Sequence, residues 1–158
     1  MRHIWIGDDT VIGEYCELSV DPLSADMDGV ILQIGSGCRI NQFNRLGATC
    51  HVEIQDNVLL ATHVFVSDTD HSYEDVTIPI WKQPWVYRGP VVLESGCWLG
   101  DGVKVIGGVT IGRNSVIGAN AVVIESIPPY SVAVGIPARV VKRFDSETRE
   151  WLRVIKGG

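Results

Sequence analysis

A single histidine among four carboxylates marks the segment of this chain best suited to chemistry. His71 lies within DTDHSYEDV, whose four carboxylates are Asp68, Asp70, Glu74 and Asp75. A neutral imidazole can take a proton from a hydroxyl near neutral pH, and this turns a poor nucleophile into an effective one. The segment therefore predicts a general base for the transfer of a group to a hydroxyl. The alternative is a loop histidine that only pairs with a neighbouring carboxylate.

A six-residue repeat surrounds this segment on both sides. From Leu93 the chain reads LESGCW LGDGVK VIGGVT IGRNSV IGANAV VIESIP, and similar blocks begin at Ile6, Ile34 and Ile54. Each block opens with an aliphatic residue, and its fifth residue is small or β-branched, so positions one and five are predicted to point inward. No block can bury its apolar face alone, so the turns must stack. The pattern predicts an all-β solenoid of very short parallel strands about 4.8 Å apart.

The same register gives an interpretation of the glycines and cysteines. Glycine recurs at position two, as in Gly100, where it is expected to ease a tight corner. All four cysteines, Cys16, Cys38, Cys50 and Cys97, fall at position five. A free cysteine is a small and readily buried side chain, so core packing is predicted for them rather than metal or redox chemistry.

Two segments break the repeat, and the chain leaves it near its end. Residues 19–30 are predicted to form a loop, and residues 67–90 an ordered inserted loop, because the latter carry Trp81, Trp85 and Tyr87. These aromatic side chains could stack on a sugar ring or form the loop's own small core. The β-helix domain is predicted to span residues 1–144. Residues 145–158 are predicted to form a short helix that caps the solenoid, with Asp145 or Ser146 as the N-cap.

The repeats, together with GIPARVVKR (residues 135–143), resemble the left-handed parallel β-helix acyltransferases. Left-handedness and about five triangular turns follow from that resemblance. NVLLATHVFVSDTDHSY (residues 57–73) is similar to the stretch that leads to the catalytic histidine of the galactoside and maltose O-acetyltransferases. It also resembles the polysaccharide-biosynthesis O-acetyltransferases. The resemblance implies a homotrimer in which His71 deprotonates a sugar hydroxyl that attacks acetyl-CoA directly, without an acyl-enzyme.

Three residues are candidates for binding the acceptor. Asn41 is at position two of its block, and an outward amide there could bind an acceptor hydroxyl or the tetrahedral oxyanion. The resemblance also matches Asn41 to an acceptor-binding asparagine. Asn44, at position five, should point inward and is kept as its rival. Trp85 is the aromatic candidate for stacking on a sugar.

To bind the acetyl donor, acetyl-CoA, the protein would need a groove and positively charged side chains. Arg139, Lys142 and Arg143 cluster late in the chain and could meet the phosphates of coenzyme A, or they could be a solvated basic end. The resemblance implies coenzyme A contacts at Asp101, Ala119, Ile124, Arg139 and Lys142. It also implies an aromatic side chain, Trp98, near the thioester.

The overall composition limits the class of protein. The 158-residue chain has a net charge of −6, which argues against nucleic acid or a membrane surface as the partner. It has no apolar run of the roughly 20 residues that a membrane span needs, so no membrane insertion and a cytoplasmic location are expected.

Three other functions remain open at this stage. One is N-acetylation of a nucleotide-linked amino sugar, and another is a non-catalytic scaffold. A third is a hexapeptide-repeat carbonic anhydrase, which needs three zinc-binding histidines, two of them five residues apart. The chain's histidines, His3, His51, His63 and His71, include no such pair, so no metal is expected.

Overall fold

Each six-residue block forms one short strand, and three successive strands complete one turn of a coil. The computed structural model describes residues 3–22 and 28–154. Its strands stack into parallel sheets that form three walls, and the chain is a left-handed parallel β-helix, as the repeat and the resemblance predicted. No block buries its apolar side chains alone, so each turn depends on the turns stacked against it.

The first three turns precede the long insertion. Their strands are β1 (Ile4–Ile6), β2 (Val11–Ile12), β3 (Glu17–Val20), β4 (Leu32–Ile34), β5 (Arg39–Ile40), β6 (Arg45–Ala48), β7 (Val52–Ile54), β8 (Leu59–Leu60) and β9 (Phe65–Ser67). The insertion then contains β10 (Thr69–His71), a 3-10 helix at Ile80–Lys82 and β11 (Trp85–Tyr87).

Two further turns and a terminal hairpin complete the chain. Their strands are β12 (Val91–Leu93), β13 (Trp98–Leu99), β14 (Lys104–Ile106), β15 (Thr110–Ile111), β16 (Val116–Ile117), β17 (Val122–Val123), β18 (Ser131–Val134), β19 (Arg139–Asp145) and β20 (Glu150–Arg153). The five turns match the predicted number.

The three walls collect one strand from each turn. Wall A contains β1, β4, β7, β12 and β15, and wall C contains β3, β6, β9, β14 and β17. Wall B contains β2, β5, β8, β13 and β16, and it continues through β18, β19 and β20. The B–C corner is where each turn passes from wall B to wall C, and the C–A corner is where it passes on to the next turn. Both insertions, between β3 and β4 and between β9 and β12, leave the coil at the C–A corner.

The inward positions predicted from the repeat form the core. The position-one residues Leu93, Leu99, Val105, Ile111, Ile117 and Val123 are all fully buried. The position-five residues of the same blocks are buried as well, and the one hydroxyl among them, Ser115, donates to the Pro128 carbonyl at 3.0 Å. Full burial of a Val, Leu or Ile side chain contributes roughly 1.5–3 kcal/mol. This continuous core therefore supplies most of the stabilisation.

The four free cysteines follow the prediction in part. Cys38 and Cys97 are buried, and burial raises the pKa of both thiols, that of Cys97 to about 11. Cys16 is only half-buried because it lies in the first turn, at the end of the stack. Cys50 is half-buried because the chain passes there to the next turn, where Ala48 and Thr49 take the buried positions.

The corners depend on position four rather than on the glycine at position two. His63, Gly102 and Asn114 occupy position four with φ values of 58°, 70° and 52°, in the left-handed region. Gly100, at position two, is needed for a different reason. A Cβ atom there would lie 2.8 Å from the backbone nitrogen of Ala119 in the next turn. The glycines therefore permit close stacking of successive corners.

The predicted C-terminal helix is wrong within the described residues. β19 pairs antiparallel with the edge strand β18, and β20 pairs antiparallel with β19, so the segment is a hairpin that extends wall B. Asp145 accepts hydrogen bonds from the backbone N–H groups of Glu147 (2.9 Å) and Thr148 (2.8 Å), which makes it a turn residue rather than a helix N-cap. The exposed edge of β18 offers backbone hydrogen bonds that an isolated helix would not satisfy.

Candidate active site

The inserted segment forms a hairpin that presents His71 to solvent. β10 and β11 pair antiparallel, and His71 lies directly opposite Trp85. The centroids of the two rings are 5.2 Å apart and their planes are tilted by 57°. The hairpin thus holds an exposed imidazole beside a half-exposed indole.

A cavity of about 260 Å³ lies between this hairpin and the outer face of wall C. Ser19, Arg45 and Phe65 line it from wall C, and Asp70, His71 and Trp85 line it from the hairpin. Its volume is slightly below that of typical sites for drug-sized ligands, so it suits a group of about one sugar ring. His71 and Trp85, two of the predicted site residues, therefore share one cavity.

Arg45 and Phe65 are cavity residues that the sequence reasoning missed. The Arg45 guanidinium lies 5.9 Å from the centre of the Phe65 ring, and its Nε is 3.2 Å from Oε1 of Glu17. Both residues occupy position six of their blocks. Position six points outward on the wall that runs into the insertion, and this is the signal that could have identified them.

The carboxylates near His71 serve the backbone rather than its imidazole. Asp70 Oδ1 accepts the backbone N–H of His71 at 2.8 Å, and its Oδ2 lies 3.8 Å from the Arg88 guanidinium. Asp68 is fully buried and bonds to the backbone of residues 49–51. Among the described residues, no carboxylate oxygen lies within 4.0 Å of an imidazole nitrogen of His71. The alternative of a histidine that merely pairs with a neighbouring carboxylate is therefore not supported.

The two asparagine candidates differ sharply in environment. The Asn44 side chain is buried, and its Nδ2 donates to the carbonyls of Asn41 and Ala61, each at 2.9 Å. Its Oδ1 accepts the backbone N–H of Val64 at 2.6 Å. Asn44 thus points inward, as position five predicted, and its amide is used by the backbone. Asn41 is exposed at the B–C corner, at the opposite edge of wall C from the hairpin.

Asp101 and Ala119 also lie at the B–C corner, on successive turns. The backbone N–H of Asn120 donates to the Asp101 carbonyl at 2.7 Å and links the two turns. Asp101 Oδ1 accepts hydrogen bonds from the Thr62 hydroxyl (2.6 Å) and the Thr62 N–H (2.9 Å), and these bonds lower the pKa of the Asp101 carboxyl. The Asp101 side chain therefore bridges to the preceding turn.

The remaining candidates for binding coenzyme A are spread over the last two turns and the terminal hairpin. Trp98 is half-exposed on wall B, and Ile124, which follows β17, is exposed to a similar extent. Arg139 Nη2 lies 3.1 Å from Oε1 of Glu125, so this guanidinium already has a carboxylate partner. Lys142 lies on β19, directly opposite Arg153 on β20. Within one chain these residues do not share the cavity that holds His71.

The described parts of the chain contain neither a cluster of metal-binding side chains nor a membrane-spanning helix. In residues 3–22 and 28–154, no group of three His, Cys, Asp or Glu side chains lies close enough to hold a metal ion. Over the same residues, no helix has the length and apolar character required to cross a membrane.

Comparison with known proteins gives the following similarities. The family model described as bacterial transferase hexapeptide (six repeats) matches residues 90–125. The galactoside O-acetyltransferase of Escherichia coli K12 is 39% identical over 100 residues, which are 63% of this chain and 48% of that protein. The E. coli K12 protein WbbJ, whose name assigns it O-acetyl transfer in lipopolysaccharide biosynthesis, is 32% identical over 130 residues, 78% of this chain and 65% of WbbJ. The chain thus spans less than two thirds of the length of these relatives.

Solved structures give the same picture of the fold. A hexapeptide-repeat acetyltransferase from Vibrio cholerae, crystallised with acetyl coenzyme A, superposes with a TM-score of 0.75 at 26% identity. The match covers 89% of this chain and 71% of the V. cholerae chain.

Proposed function

We propose that this chain is an acetyl-CoA-dependent O-acetyltransferase. The premise is that it is a hexapeptide-repeat protein with a left-handed β-helix and is similar to acetyltransferases of that fold. The acceptor is a hydroxyl of a sugar or glycan precursor. One observation carries the proposal. The exposed imidazole of His71, which has no carboxylate partner among the described residues, lines a ring-sized cavity beside the indole of Trp85.

The proposed reaction is a direct transfer. His71 takes the proton of the acceptor hydroxyl as the oxygen attacks the thioester carbonyl, which forms the new C–O bond. The C–S bond then breaks, and the departing thiolate of coenzyme A takes up the proton held by the His71 imidazolium. An exposed donor such as the Asn41 amide would stabilise the oxyanion that forms between these steps. Asn44 has no part in this scheme because its amide is already bonded.

The cavity composition supports a sugar-type acceptor. Trp85 offers an aromatic face, and Ser19 and Asp70 offer groups that bond to hydroxyls. The cation of the cavity, Arg45, lies close to Glu17, which reduces its availability for a phosphate. This arrangement favours an uncharged ring over a nucleotide-linked amino sugar.

The donor end of the molecule has a feature that suits phosphate groups. Lys142 and Arg153 are directly opposite on β19 and β20 and share one shallow surface cleft. Like charges in such a cross-strand pair are destabilising unless an anion lies between them. In the described part of the chain neither cation has a carboxylate within 4.0 Å. We therefore assign the phosphates of coenzyme A to this end, near Lys142.

The complete site is proposed to need more than one copy of the chain. His71 lies at the C–A corner, whereas Asn41, Asp101 and Ala119 lie at the B–C corner. In a homotrimer, the hairpin of one subunit would face the B–C corner and upper turns of its neighbour. The trimer would then complete the site from both surfaces.

The test is thiol release from acetyl-CoA with a panel of sugars, nucleotide sugars and nucleotide amino sugars. His71→Ala is expected to lower kcat roughly 10²–10⁴-fold, because only the proton transfer is lost. Coenzyme A binding, followed by calorimetry, is expected to stay unchanged. His51→Ala is the matched control, because its imidazole pairs with Glu53 and does not line the cavity.

Each outcome has a distinct reading. Turnover with a hydroxyl acceptor that is lost only in His71→Ala supports the proposal. Turnover with amines alone would assign the protein to N-acetyl transfer instead. Full turnover in His71→Ala would remove His71 as the base, and the absence of both turnover and coenzyme A binding would favour a scaffold.

A further inference from the structure

We propose that Asp68 is the positioning residue of His71, and that its buried carboxylate fixes the imidazole in the geometry that proton transfer requires. The inference rests on the proposed function, since it assumes that His71 acts as the base. Asp68 has no contact with the cavity and acts only through the backbone. It is one of the four carboxylates of the insertion, and it is the one that lies at the root of the hairpin.

The Asp68 carboxylate is enclosed by hydrogen-bond donors from the preceding turn. Its Oδ2 accepts the backbone N–H groups of Cys50 and His51, both at 2.8 Å. Its Oδ1 accepts the N–H of Thr49 at 2.9 Å and the Thr49 hydroxyl at 3.0 Å. The side chain is 0% exposed, and no cation lies within 4.0 Å of it among the described residues.

Such a site is costly to build and is therefore informative. A buried carboxylate loses its hydration, and only a full set of donors can replace the water that it leaves. Here three consecutive N–H groups and one hydroxyl replace it. A buried apolar residue would fill this corner without that requirement. The carboxylate instead fixes residues 49–51 and the start of β10 in one mutual orientation.

The root of the hairpin is held on its return side as well. The backbone N–H of Arg88 donates to the Asp68 carbonyl at 2.9 Å, and the N–H of Gly107 donates to the Ser67 carbonyl at 2.8 Å. Both strands therefore leave from a fixed base. Gln83, which is also buried, bonds to Asp75 and orders the far end of the insertion rather than the root.

The chain between Asp68 and His71 acts as a lever, so the fixed root of the hairpin is important for catalysis. Three residues of extended chain span roughly 10 Å, so a tilt of about 10° at the root would move the imidazole by nearly 2 Å. A displacement of about 1 Å in a reacting group can cost on the order of 100-fold in rate. The carboxylate therefore governs how often His71 is in reach of the acceptor.

The test replaces Asp68 by asparagine. The two side chains have the same size, but each Asp68 oxygen accepts a backbone N–H, so either orientation of the amide places its NH₂ group against a donor. We expect kcat to fall roughly 10- to 100-fold with the KM for acetyl-CoA and the affinity for coenzyme A unchanged. Asp75→Asn is the matched control, an exposed carboxylate of the same hairpin that does not line the cavity, and it should keep the wild-type kcat.

A second readout does not depend on turnover. An imidazole in contact with an indole changes the fluorescence of that indole, so the 5.2 Å contact between His71 and Trp85 should give a change in emission that depends on both rings. The change is assigned to this contact if it vanishes in both His71→Gln and Trp85→Phe. In Asp68→Asn its amplitude should fall, because the two rings are no longer held together. A carboxylate that only stabilised the fold would lower the unfolding midpoint and leave both kcat and this signal intact.

Thr49→Val keeps the proposal testable if Asp68→Asn does not fold. This variant removes the hydroxyl contact to Asp68 and keeps the backbone N–H contact, so a smaller decrease in kcat and in the fluorescence amplitude is expected. Thr49 also lines the cavity, and the fluorescence amplitude, which does not involve the acceptor, separates a change in the hairpin from a change in the cavity lining. Wild-type values in Thr49→Val, or in a folded Asp68→Asn, would overturn the positioning role while the loss of activity in His71→Ala left the proposed function standing. Full activity in His71→Ala would instead overturn the proposed function, and the fluorescence series alone would then decide whether Asp68 holds the hairpin.

Discussion

Replacing Asn44 by alanine separates its two possible roles. At the B–C corner, the buried amide forms hydrogen bonds with three backbone groups: the carbonyls of Asn41 and Ala61 and the N–H of Val64. Alanine would leave the Ala61 carbonyl and the Val64 N–H without these bonds. The Asn41 carbonyl would keep one weaker partner, the Cys16 thiol at 3.0 Å.

The expected loss of stability follows from that count. A buried backbone group left without a partner costs about 1–3 kcal/mol. Two such groups give an expected decrease in the free energy of unfolding of about 4 kcal/mol, at the middle of that range. Because Asn44 is 1% exposed, solvent does not replace the lost bonds at the surface. A single domain has a total stability of only about 5–15 kcal/mol, so the change should be large.

The assay is urea unfolding followed by circular dichroism, with linear extrapolation to water. The protein concentration must be the same for all variants, because the proposed subunit assembly would make apparent stability depend on it. Asn41→Ala is the matched control, since its side chain is exposed and its loss should change the free energy of unfolding by no more than about 0.5 kcal/mol. A decrease below about 1 kcal/mol in Asn44→Ala would refute the reasoning. If that small decrease came with a higher KM for the acceptor, Asn44 would be an acceptor contact after all.

Two further predictions concern titratable groups. Burial raises the pKa of Cys38 and Cys97, that of Cys97 to about 11. Iodoacetamide at about pH 8 should therefore label the half-buried Cys16 and Cys50 in the native protein, and it should label Cys38 and Cys97 only after unfolding. Peptide mass spectrometry identifies the labelled residues. Hydrogen bonds hold the pKa values of Asp75, Asp101 and Asp145 below their usual 3.8, so the stabilisation from these carboxylates is present above pH 3.8 and is lost as the pH falls through the lower folded values. Urea unfolding at a series of acidic pH values should show this decline, and an unfolding free energy that stayed constant below pH 3.8 would contradict it.

The walls could be predicted from sequence because each inward position recurs every six residues. Leu99 and Val105 needed no knowledge of their neighbours to be assigned to the core, since position one is buried in turn after turn. The same register correctly predicted that the Asn44 side chain points inward. The insertion at residues 67–90 was equally visible, because it is where the repeat stops.

Features that depend on contacts between turns could not be read from local sequence. Asp145 has the residue type of a helix N-cap, yet the open edge of β18 draws the following segment into a hairpin. The donors around Asp68 come from residues 17–19 positions earlier, and only the stacking of turns brings them together. The register did predict that Arg45 and Phe65 point outward. The cavity that they line, however, forms only when the hairpin folds back on wall C.

Both insertions leave the coil at the C–A corner, and this has a consequence for how such a chain can change over time. A segment added at that edge lengthens the path between turns without disturbing the hydrogen bonds of any wall. Residues 72–84 do not line the cavity, so this stretch can change in length or sequence while the walls, which carry the core as well as Arg45 and Phe65, stay in register. Changes in chain length should therefore be concentrated along this one edge.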